Sequence, residues 1–503
     1  MSQLKDFLVI DTLRMGNLKV EPKRVRATYT VIKPDGSSSE KELVYSYEQA
    51  FFNPGNKNDW NLASMMLAQV ALNYGLFCKN LVLEGVFDTE DHKFLSRMLE
   101  NTCREILTNK LLIDNPFIKP AFQKLEITPQ KRYTQARLVF ENIKGHVHLA
   151  ETHYAKPDYS HYAILSSGGK DSLLTYGLIR EIGVAHPVFI NEAGRHWFTA
   201  VNAHRYLKET EPNTVKPWCN SDRIFNWMLK HFEFIREDYS GIPADMYPIR
   251  LWTVAVFLFG VLPIALKKGV GNVLIGNEYD STITGSSRGI RHYAGLYDQS
   301  WYFDNTLTKY YRKKGWLLRQ YSCLRSTSEL LIMKILINRY PELQKHQISC
   351  HAAHEAAGRM LPCGKCEKCR RIIGMMVALD ADPRRCGYTD QQIERGLQQL
   401  AVHPIKQIDS DAGHLYYLLL QKGALPHNPH TRKLARPHPE ILKLRFDAVR
   451  SRLGDLPDPV REPLFQILDK EAHGSVKKVA GAWKPVALTP EFLLNDKYAP
   501  YAL

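Results

Sequence analysis

The segment SSGGKDS, at 166–172, carries residue types that together can bind phosphate. It follows an apolar stretch, and glycines at a strand-to-helix turn leave room for backbone N–H groups to converge on an anion, as Gly168 and Gly169 would. The other side chains supply a positive charge, a Mg²⁺ ligand and two hydroxyl donors: Lys170, Asp171, Ser167 and Ser172. The segment therefore predicts a site for the phosphates of ATP, the alternative being an ordinary serine- and glycine-rich turn.

A second polar group follows another apolar stretch, Val273 to Gly276. If both stretches are strands of one parallel sheet, the residues after them lie at the same edge, where ligands bind. We predict that Asn277 contacts ATP and that the carboxylates of Glu278 and Asp280 act with Mg²⁺ or as a base, the alternative being a solvated acidic turn. The predicted catalytic residues are Lys170, Asp171, Glu278 and Asp280.

Basic residues further along the chain can bind an anionic substrate. Arg288 and Arg291, with His292, lie in SSRGIRHY, and Arg325 lies in LRSTSELL. The predicted substrate-binding residues are Arg288, Arg291 and Arg325. Two alternatives stay open: an exposed basic loop for the first group, and an ion pair of Arg325 with Glu329 four residues later on a helix. Cys323, the only thiol nearby, is predicted to be buried and structural.

Three cysteines with two residues between each occur in PCGKCEKC, and a fourth lies upstream of the first with twelve residues between them. Four thiolates at this spacing form a tetrahedral set suited to structural Zn²⁺. The predicted ligands are Cys350, Cys363, Cys366 and Cys369, with His351 and His354 as rival fourth ligands. An iron–sulfur cluster and a set of buried or redox-active free thiols are the alternatives.

The pattern of elements divides the chain into three regions. Residues 1–150 favour an α+β domain, and residues 151–380 alternate strands with helices, which predicts an α/β fold with a parallel sheet. Residues 381–503 favour a mainly helical region, with helices expected at Asp390 to Leu400, Leu442 to Leu453 and Val460 to Glu471. The apolar run from Leu251 to Leu266 is shorter than the ~20 residues of a membrane span, so it predicts a buried helix.

Composition narrows the function classes. The chain has 503 residues and a formal net charge of +15, which favours an anionic partner such as a nucleotide, a nucleotide-sugar or nucleic acid. Nine cysteines are too few for a disulfide scaffold, and the start of the chain has no pattern of a secretory signal. We expect a cytoplasmic protein with thiol or metal-bound cysteines and no membrane partner.

The motif Ser167 to Ser172 resembles the SGGxDS signature of the PP-loop ATP pyrophosphatases, whose domain is adenine nucleotide alpha hydrolase-like. The resemblance implies cleavage of ATP between the α and β phosphates, commonly with adenylation of a substrate oxygen.

A longer resemblance covers about the first 380 residues and includes GNEYDSTITG, YDQSWYFD and LLRQYSCLRSTSELL. These segments, with the phosphate loop and the cysteines, are similar to the ATP-dependent UDP-N-acetylmuramoyl-L-alanyl-L-glutamate epimerases of cell-wall precursor synthesis. That likeness implies activation of a carboxylate followed by inversion at the adjacent carbon. The cysteine spacing also resembles 7-cyano-7-deazaguanine synthase, and the basic stretch Thr431 to Arg452 leaves a tRNA-modifying PP-loop enzyme as a further alternative.

Overall fold

The computed structural model describes residues 2–143, 154–242, 249–293, 297–407 and 409–500. The predicted domain boundary at 150 lies outside these ranges, as does the end of the chain at 503.

Strands and helices are numbered here in chain order. The strands are β1 Ile10–Glu21, β2 Arg24–Ile32, β3 Ser38–Ser46, β4 Cys78–Gly85, β5 Arg137–Asn142, β6 Asp158–Leu165, β7 Val184–Val188, β8 Trp218–Cys219, β9 Val270–Leu274, β10 Thr284–Ser287, β11 Ile290–Tyr293, β12 Arg319–Tyr321, β13 His354–Ala356, β14 Arg359–Leu361, β15 Leu444–Phe446, β16 Ser475–Val479 and β17 Ala482–Pro485. The α-helices are α1 Lys57–Ala68, α2 Thr89–Ile106, α3 Lys170–Ile182, α4 His196–Thr210, α5 Ser221–Leu229, α6 Val254–Lys268, α7 Trp301–Lys313, α8 Glu329–Arg339, α9 Pro341–Gln344, α10 Glu367–Ala378, α11 Asp390–Leu400, α12 Asp409–Gln421, α13 Pro429–Leu434, α14 Asp458–Glu471 and α15 Pro490–Leu494. A π-turn at Leu107–Leu111 extends α2, and short 3₁₀ turns connect many of the other elements.

The first sheet has the strand order β5-β4-β1-β2-β3-β8 within the described residues. β1, β2 and β3 pair antiparallel, whereas β4 and β5 run parallel to β1. Alternate residues of β2, from Val25 to Val31, are buried as expected for a strand with one face in the core. The apolar helix α6 packs beside this sheet, where the hydroxyls of Tyr45 and Tyr47 donate hydrogen bonds to its carbonyls at Val256 and Gly260.

The second sheet has the order β12-β9-β6-β7, and every pairing in it is parallel. This confirms the α/β pattern predicted from the alternation of strands and helices. β6 lies in the interior of the sheet, with β9 on one side and β7 on the other. The segments that follow β6 and β9, which contain Ser167 and Asn277, therefore leave the sheet at the same edge.

One hydrophobic core spans both sheets. It includes buried residues of the first sheet, such as Leu13 and Tyr29, together with Phe259 of α6 and Val273 of β9. The short strand β8 pairs antiparallel with β3, and Trp218 within it bridges to Asn191, just beyond β7. Among the described residues, no helix combines the length and the apolar character needed to cross a membrane.

The C-terminal region packs helices around the cysteine segment and against the second sheet. The predicted helix at Asp390 to Leu400 is confirmed as α11, and the one at Val460 to Glu471 lies within α14. The predicted helix from Leu442 to Leu453 is wrong: Leu444–Phe446 is the strand β15, which pairs parallel with β16. All three residues of this strand are buried, so tertiary pairing overrides the local pattern.

Candidate active site and metal centre

The glycine turn between β6 and α3 is fixed by bonds to three neighbouring segments. The Ser166 amide donates to the carbonyl of Val188 at 2.9 Å, and the Thr199 hydroxyl donates to the carbonyl of Ser167 at 3.0 Å. The amide of Ile348 donates to the Gly168 carbonyl at 3.2 Å. The turn thus has a defined position between β7, α4 and the segment that leads to the cysteines.

Position 168 requires a glycine for two reasons, its backbone conformation and the lack of room for a side chain. Its φ is +74°, in the left-handed region, and a Cβ there would lie 2.4 Å from the carbonyl oxygen of Thr199 and 2.8 Å from Cα of Ala200. Both contacts are with backbone, which cannot rotate away. Gly169 differs, because its Cβ would meet only the Ser167 hydroxyl, at 3.5 Å.

Helix α3 begins directly after Gly169 and no side chain caps its N-terminus. Such a helix end directs N–H groups and positive potential outward. The Ser172 hydroxyl lies within the turn, donating to the carbonyl of Gly169 at 3.1 Å, whereas Ser167 is exposed. The turn offers the features that an anionic ligand needs.

A cavity of about 510 Å³ opens at this edge of the second sheet. Its walls come from the turn, the ends of β7 and β9, and the starts of α4, α8 and α10. Six predicted ATP-binding residues line it: Ser167, Gly169, Lys170, Asp171, Ser172 and Asn277. Asn277 is 2 % exposed, and its backbone N–H donates a hydrogen bond to the hydroxyl of Ser322 at 3.0 Å.

Lys170 is buried at the centre of a group of carboxylates. Its Nζ lies 2.7 Å from Asp171 Oδ1, 3.3 Å from Glu329 Oε1 and 3.6 Å from Glu278 Oε2. Burial alone would lower the pKa of Lys170, but Asp171, Glu278 and Glu329 outweigh it and raise that pKa. The lysine is therefore a permanent positive charge beside the turn.

Glu329, the first residue of α8, does not form the ion pair with Arg325 that their spacing left open as an alternative. Arg371 instead lies 3.5 Å from its Oε2, and Gln407 donates to the same oxygen. Burial tends to raise the pKa of Glu329, yet Lys170 and Arg371 prevail and lower it to about 2. This carboxylate is ionised at neutral pH and lines the cavity.

Replacing Glu329 by glutamine is expected to make the free energy of unfolding less dependent on pH in the acid range. Because the pKa of Glu329 is lower in the folded chain, its contribution is present above the unfolded value of 4.5 and is lost as pH falls towards about 2. Urea denaturation across that window should show a steeper decline for the native chain than for E329Q, and E329Q should be less stable at neutral pH. The exposed Glu233→Gln is the control, and equal acid limbs for E329Q and the native chain would contradict the assignment.

Three further acids and a buried arginine lie near Glu329. Burial raises the pKa of Asp280, an effect that Glu329 reinforces, and burial raises the pKa of Asp411 to about 7 despite the nearby Arg445. Asp411 Oδ2 lies 3.7 Å from an Arg445 nitrogen, and both side chains are about 2 % exposed. Burial also raises the pKa of Glu278 well above its usual value.

The predicted substrate-binding arginines lie outside the lining of this cavity. Arg288 is exposed and donates to the carbonyl of Leu125, and Arg291 is exposed on β11. Arg325 is buried and its guanidinium lies 2.5 Å from Asp304. It also donates at 3.0 Å to the carbonyl of Gln299, a residue of the cavity wall. Arg325 thus stabilises the cavity wall through Gln299 without lining the cavity itself.

The four predicted cysteines converge. All four sulfurs lie within 4.8 Å of one another, with 3.5 Å between Cys366 and Cys369, 3.6 Å between Cys366 and Cys350, and 3.8 Å between Cys363 and Cys369. Sulfurs placed tetrahedrally at ~2.3 Å from Zn²⁺ would be ~3.8 Å apart, so the set fits this ion. Neither His351 nor His354 belongs to the cluster. Cys323 is buried elsewhere, as predicted.

The cysteine segment is physically joined to the cavity. α10 begins immediately after Cys366, and its residues Lys368 and Arg371 line the cavity. The β13–β14 hairpin between the first two cysteines is held by Asn202 of α4, whose side chain exchanges two hydrogen bonds with the backbone of Met360. A bound metal would therefore fix the position of two cationic side chains in the site.

A second cavity, of about 770 Å³, adjoins the first. Aromatic side chains, including Trp218 and Phe225, and arginines, including Arg223 and Arg250, line it. Two histidines, His196 and His351, line both cavities. The two cavities therefore share these two side chains in their walls.

No protein-family model, curated protein or solved structure matches this chain. The chemistry of the site is defined by its own residues: a cavity with acidic and basic groups at the carboxyl edge of a parallel sheet, next to four cysteines that can bind a metal such as zinc.

Proposed function

We propose that the protein uses ATP to adenylate a substrate carboxylate, with release of pyrophosphate. The observation that carries this proposal is the uncapped α3 helix, which begins at a glycine turn in the cavity wall with Lys170 buried beside it. Backbone amides and positive potential at such a helix end suit a phosphate chain. The SGGxDS motif, with its likeness to the PP-loop pyrophosphatases, supports the same assignment.

The charges around the cavity suit a triphosphate with its metal. Lys170, Lys368 and Arg371 supply positive charge to the phosphate oxygens. Asp171 and Glu329 present carboxylates in the same cavity and would hold Mg²⁺. Mg²⁺ would supply charge neutralisation on the phosphates.

In the proposed step a carboxylate oxygen of the substrate attacks the α-phosphorus of ATP. The new P–O bond forms as the bond to the β-phosphate bridging oxygen breaks, and pyrophosphate leaves with the electron pair of that bond. Cationic side chains placed around the phosphates stabilise the charge that develops on the leaving group. Lys170, fixed by three carboxylates, is positioned in advance and needs no reorganisation.

The most specific form of the proposal is epimerisation of UDP-N-acetylmuramoyl-L-alanyl-L-glutamate at its glutamate. The longer sequence resemblance supports this substrate. An α-proton beside an ionised carboxylate is a poor acid, because its loss places two negative charges side by side. Adenylation removes the carboxylate charge, so a base can remove the proton. Return of a proton to the opposite face and hydrolysis of the acyl-adenylate then give AMP and the inverted residue.

The test is incubation of the purified protein with ATP, Mg²⁺ and UDP-N-acetylmuramoyl-L-alanyl-L-glutamate in D₂O. We expect AMP and pyrophosphate in equal amounts, D-glutamate in the product and deuterium at its α-carbon, without any need for ammonia. Formation of ADP instead of AMP would contradict the proposal at the level of the phosphate site.

The cysteine cluster favours one second candidate, a ligase similar to 7-cyano-7-deazaguanine synthase. Such an enzyme also activates a carboxylate, but ammonia attacks the adenylate. With 7-carboxy-7-deazaguanine as substrate, AMP formation that depends on ammonia and leaves no deuterium on carbon would favour the ligase.

A further inference from the structure

The second cavity combines aromatic rings with positive charge in one wall. The side chains that supply these two features include Trp218, Phe225, Arg195, Arg223 and Arg250. Among the residues that the structure describes, Asp222 is the only carboxylate in this lining. Three guanidinium groups thus face one acid beside apolar surface, which suits a ligand that has both a flat ring and an anionic group.

Asp222 is already engaged by one of the arginines. A nitrogen of Arg250 lies 3.1 Å from Asp222 Oδ1, and its guanidinium carbon lies 4.4 Å from the centre of the Phe225 ring. Arg195 and Arg223 are exposed, and within the described part of the chain neither forms an ion pair. The lining therefore keeps two positive charges that no acidic side chain neutralises.

Trp218 provides a flat surface next to one of these charges. The backbone of Trp218 is fixed between the two sheets, because it pairs with Ser46 of β3 and bridges to Asn191 beyond β7. Its indole is half-buried, and no aromatic ring of the described residues stacks on it. The guanidinium carbon of Arg223 lies 5.8 Å from the centre of the ring. A ring that stacks on Trp218 would therefore have an arginine beside it.

We infer that the second cavity binds the nucleoside diphosphate end of the substrate, an inference that rests on the proposed function for the identity of that substrate. The base would stack on Trp218, and the two phosphates would accept charge-assisted hydrogen bonds from Arg195 and Arg223. The cavity volume of about 770 Å³ has room for such a group. Because His196 and His351 also line the first cavity, the bound nucleotide would lie next to the proposed site of adenylation.

Calorimetric titration of the full chain with UDP tests this site without any need for turnover. We expect one UDP per chain, bound with the same affinity when α,β-methylene-ATP and Mg²⁺ saturate the first cavity. Arg223→Ala should weaken UDP binding about tenfold or more, because a charge-assisted contact with phosphate is lost. Trp218→Leu should weaken it at least about fivefold through the loss of base stacking. Uridine alone and pyrophosphate alone should each bind at least about tenfold more weakly than UDP.

Matched controls are a tryptophan and an arginine outside the lining. Trp227 lies on α5 like Arg223, and Arg395 is exposed on α11. W227L and R395A should bind UDP with native affinity. Because Arg223 is exposed, R223A should also keep the native melting temperature, so its weaker binding would not reflect unfolding.

Three results would overturn the inference: no binding of UDP to the native chain, native affinity in both R223A and W218L, or pyrophosphate bound as tightly as UDP. Displacement of UDP by α,β-methylene-ATP would also overturn it, because it would place UDP in the first cavity. The proposed function fails by a different result. A chain that binds UDP as described but forms no AMP would keep the nucleotide site and lose the proposed reaction, whereas AMP formation without UDP binding would do the reverse.

Discussion

Replacing Gly168 by alanine is expected to destabilise the protein by roughly 3 kcal/mol or more and to abolish ATP turnover. A φ of +74° alone costs an L-residue about 1–2 kcal/mol. The added methyl group would also lie 2.4 Å from the backbone oxygen of Thr199, so α4 must move away from the turn. Chemical denaturation measures the first effect, and AMP release measures the second.

Gly358→Ala is the matched control for conformation. Gly358 has a similar φ of +71°, but nothing lies within 4 Å of a Cβ placed there. G358A should therefore lose about 1 kcal/mol and keep its activity. Gly169→Ala provides a second comparison, because it should fold normally and yet bind ATP weakly. Equal stability of G168A and G358A would show that the close approach of α4 is not a constraint on the turn.

The second prediction with a large expected effect is that removal of one cysteine ligand releases the metal and destabilises the protein. The purified protein should contain one zinc per chain and be colourless, and Cys369→Ser should lose the metal. A structural zinc contributes on the order of 10 kcal/mol in small domains, so a large fall in melting temperature is expected. Activity should fall as well, because α10 carries Lys368 and Arg371 into the cavity. Elemental analysis and thermal denaturation provide the measurements.

Cys386→Ser is the control, since Cys386 is also buried but lies outside the cluster of four sulfurs. This variant should keep its full zinc content. A brown protein containing iron would identify the cysteines as cluster ligands. Native zinc content in C369S would exclude the proposed ligand set.

The position of the glycine turn and the convergence of the cysteines were predictable from sequence because their signals are local. Gly168 and Gly169 follow an apolar strand directly, and the order strand, glycine turn and helix places them at the sheet edge without knowledge of distant contacts. The spacing of the last three cysteines likewise forces their sulfurs together. The alternation of strands and helices predicted the parallel pairing of β6 with its neighbours.

The partners of Glu329 were not predictable in this way. The spacing from Arg325 suggested a helical pair, but α8 begins only at Glu329, after the cap residue Ser328, so the two side chains do not share a helix face. Lys170 and Arg371 reach Glu329 from segments far away in sequence. The same holds for Asp411 and Arg445, which the C-terminal region brings behind the site without any motif to mark them.

The most direct test of the proposed phosphate site is a crystal structure with Mg²⁺ and α,β-methylene-ATP, an analogue whose α–β linkage cannot be cleaved. We expect its phosphates in the cavity beside Gly169 and Lys170, within hydrogen-bond distance of the backbone amides at the start of α3. Analogue bound elsewhere on the protein, with the glycine turn in contact only with solvent, would contradict the account.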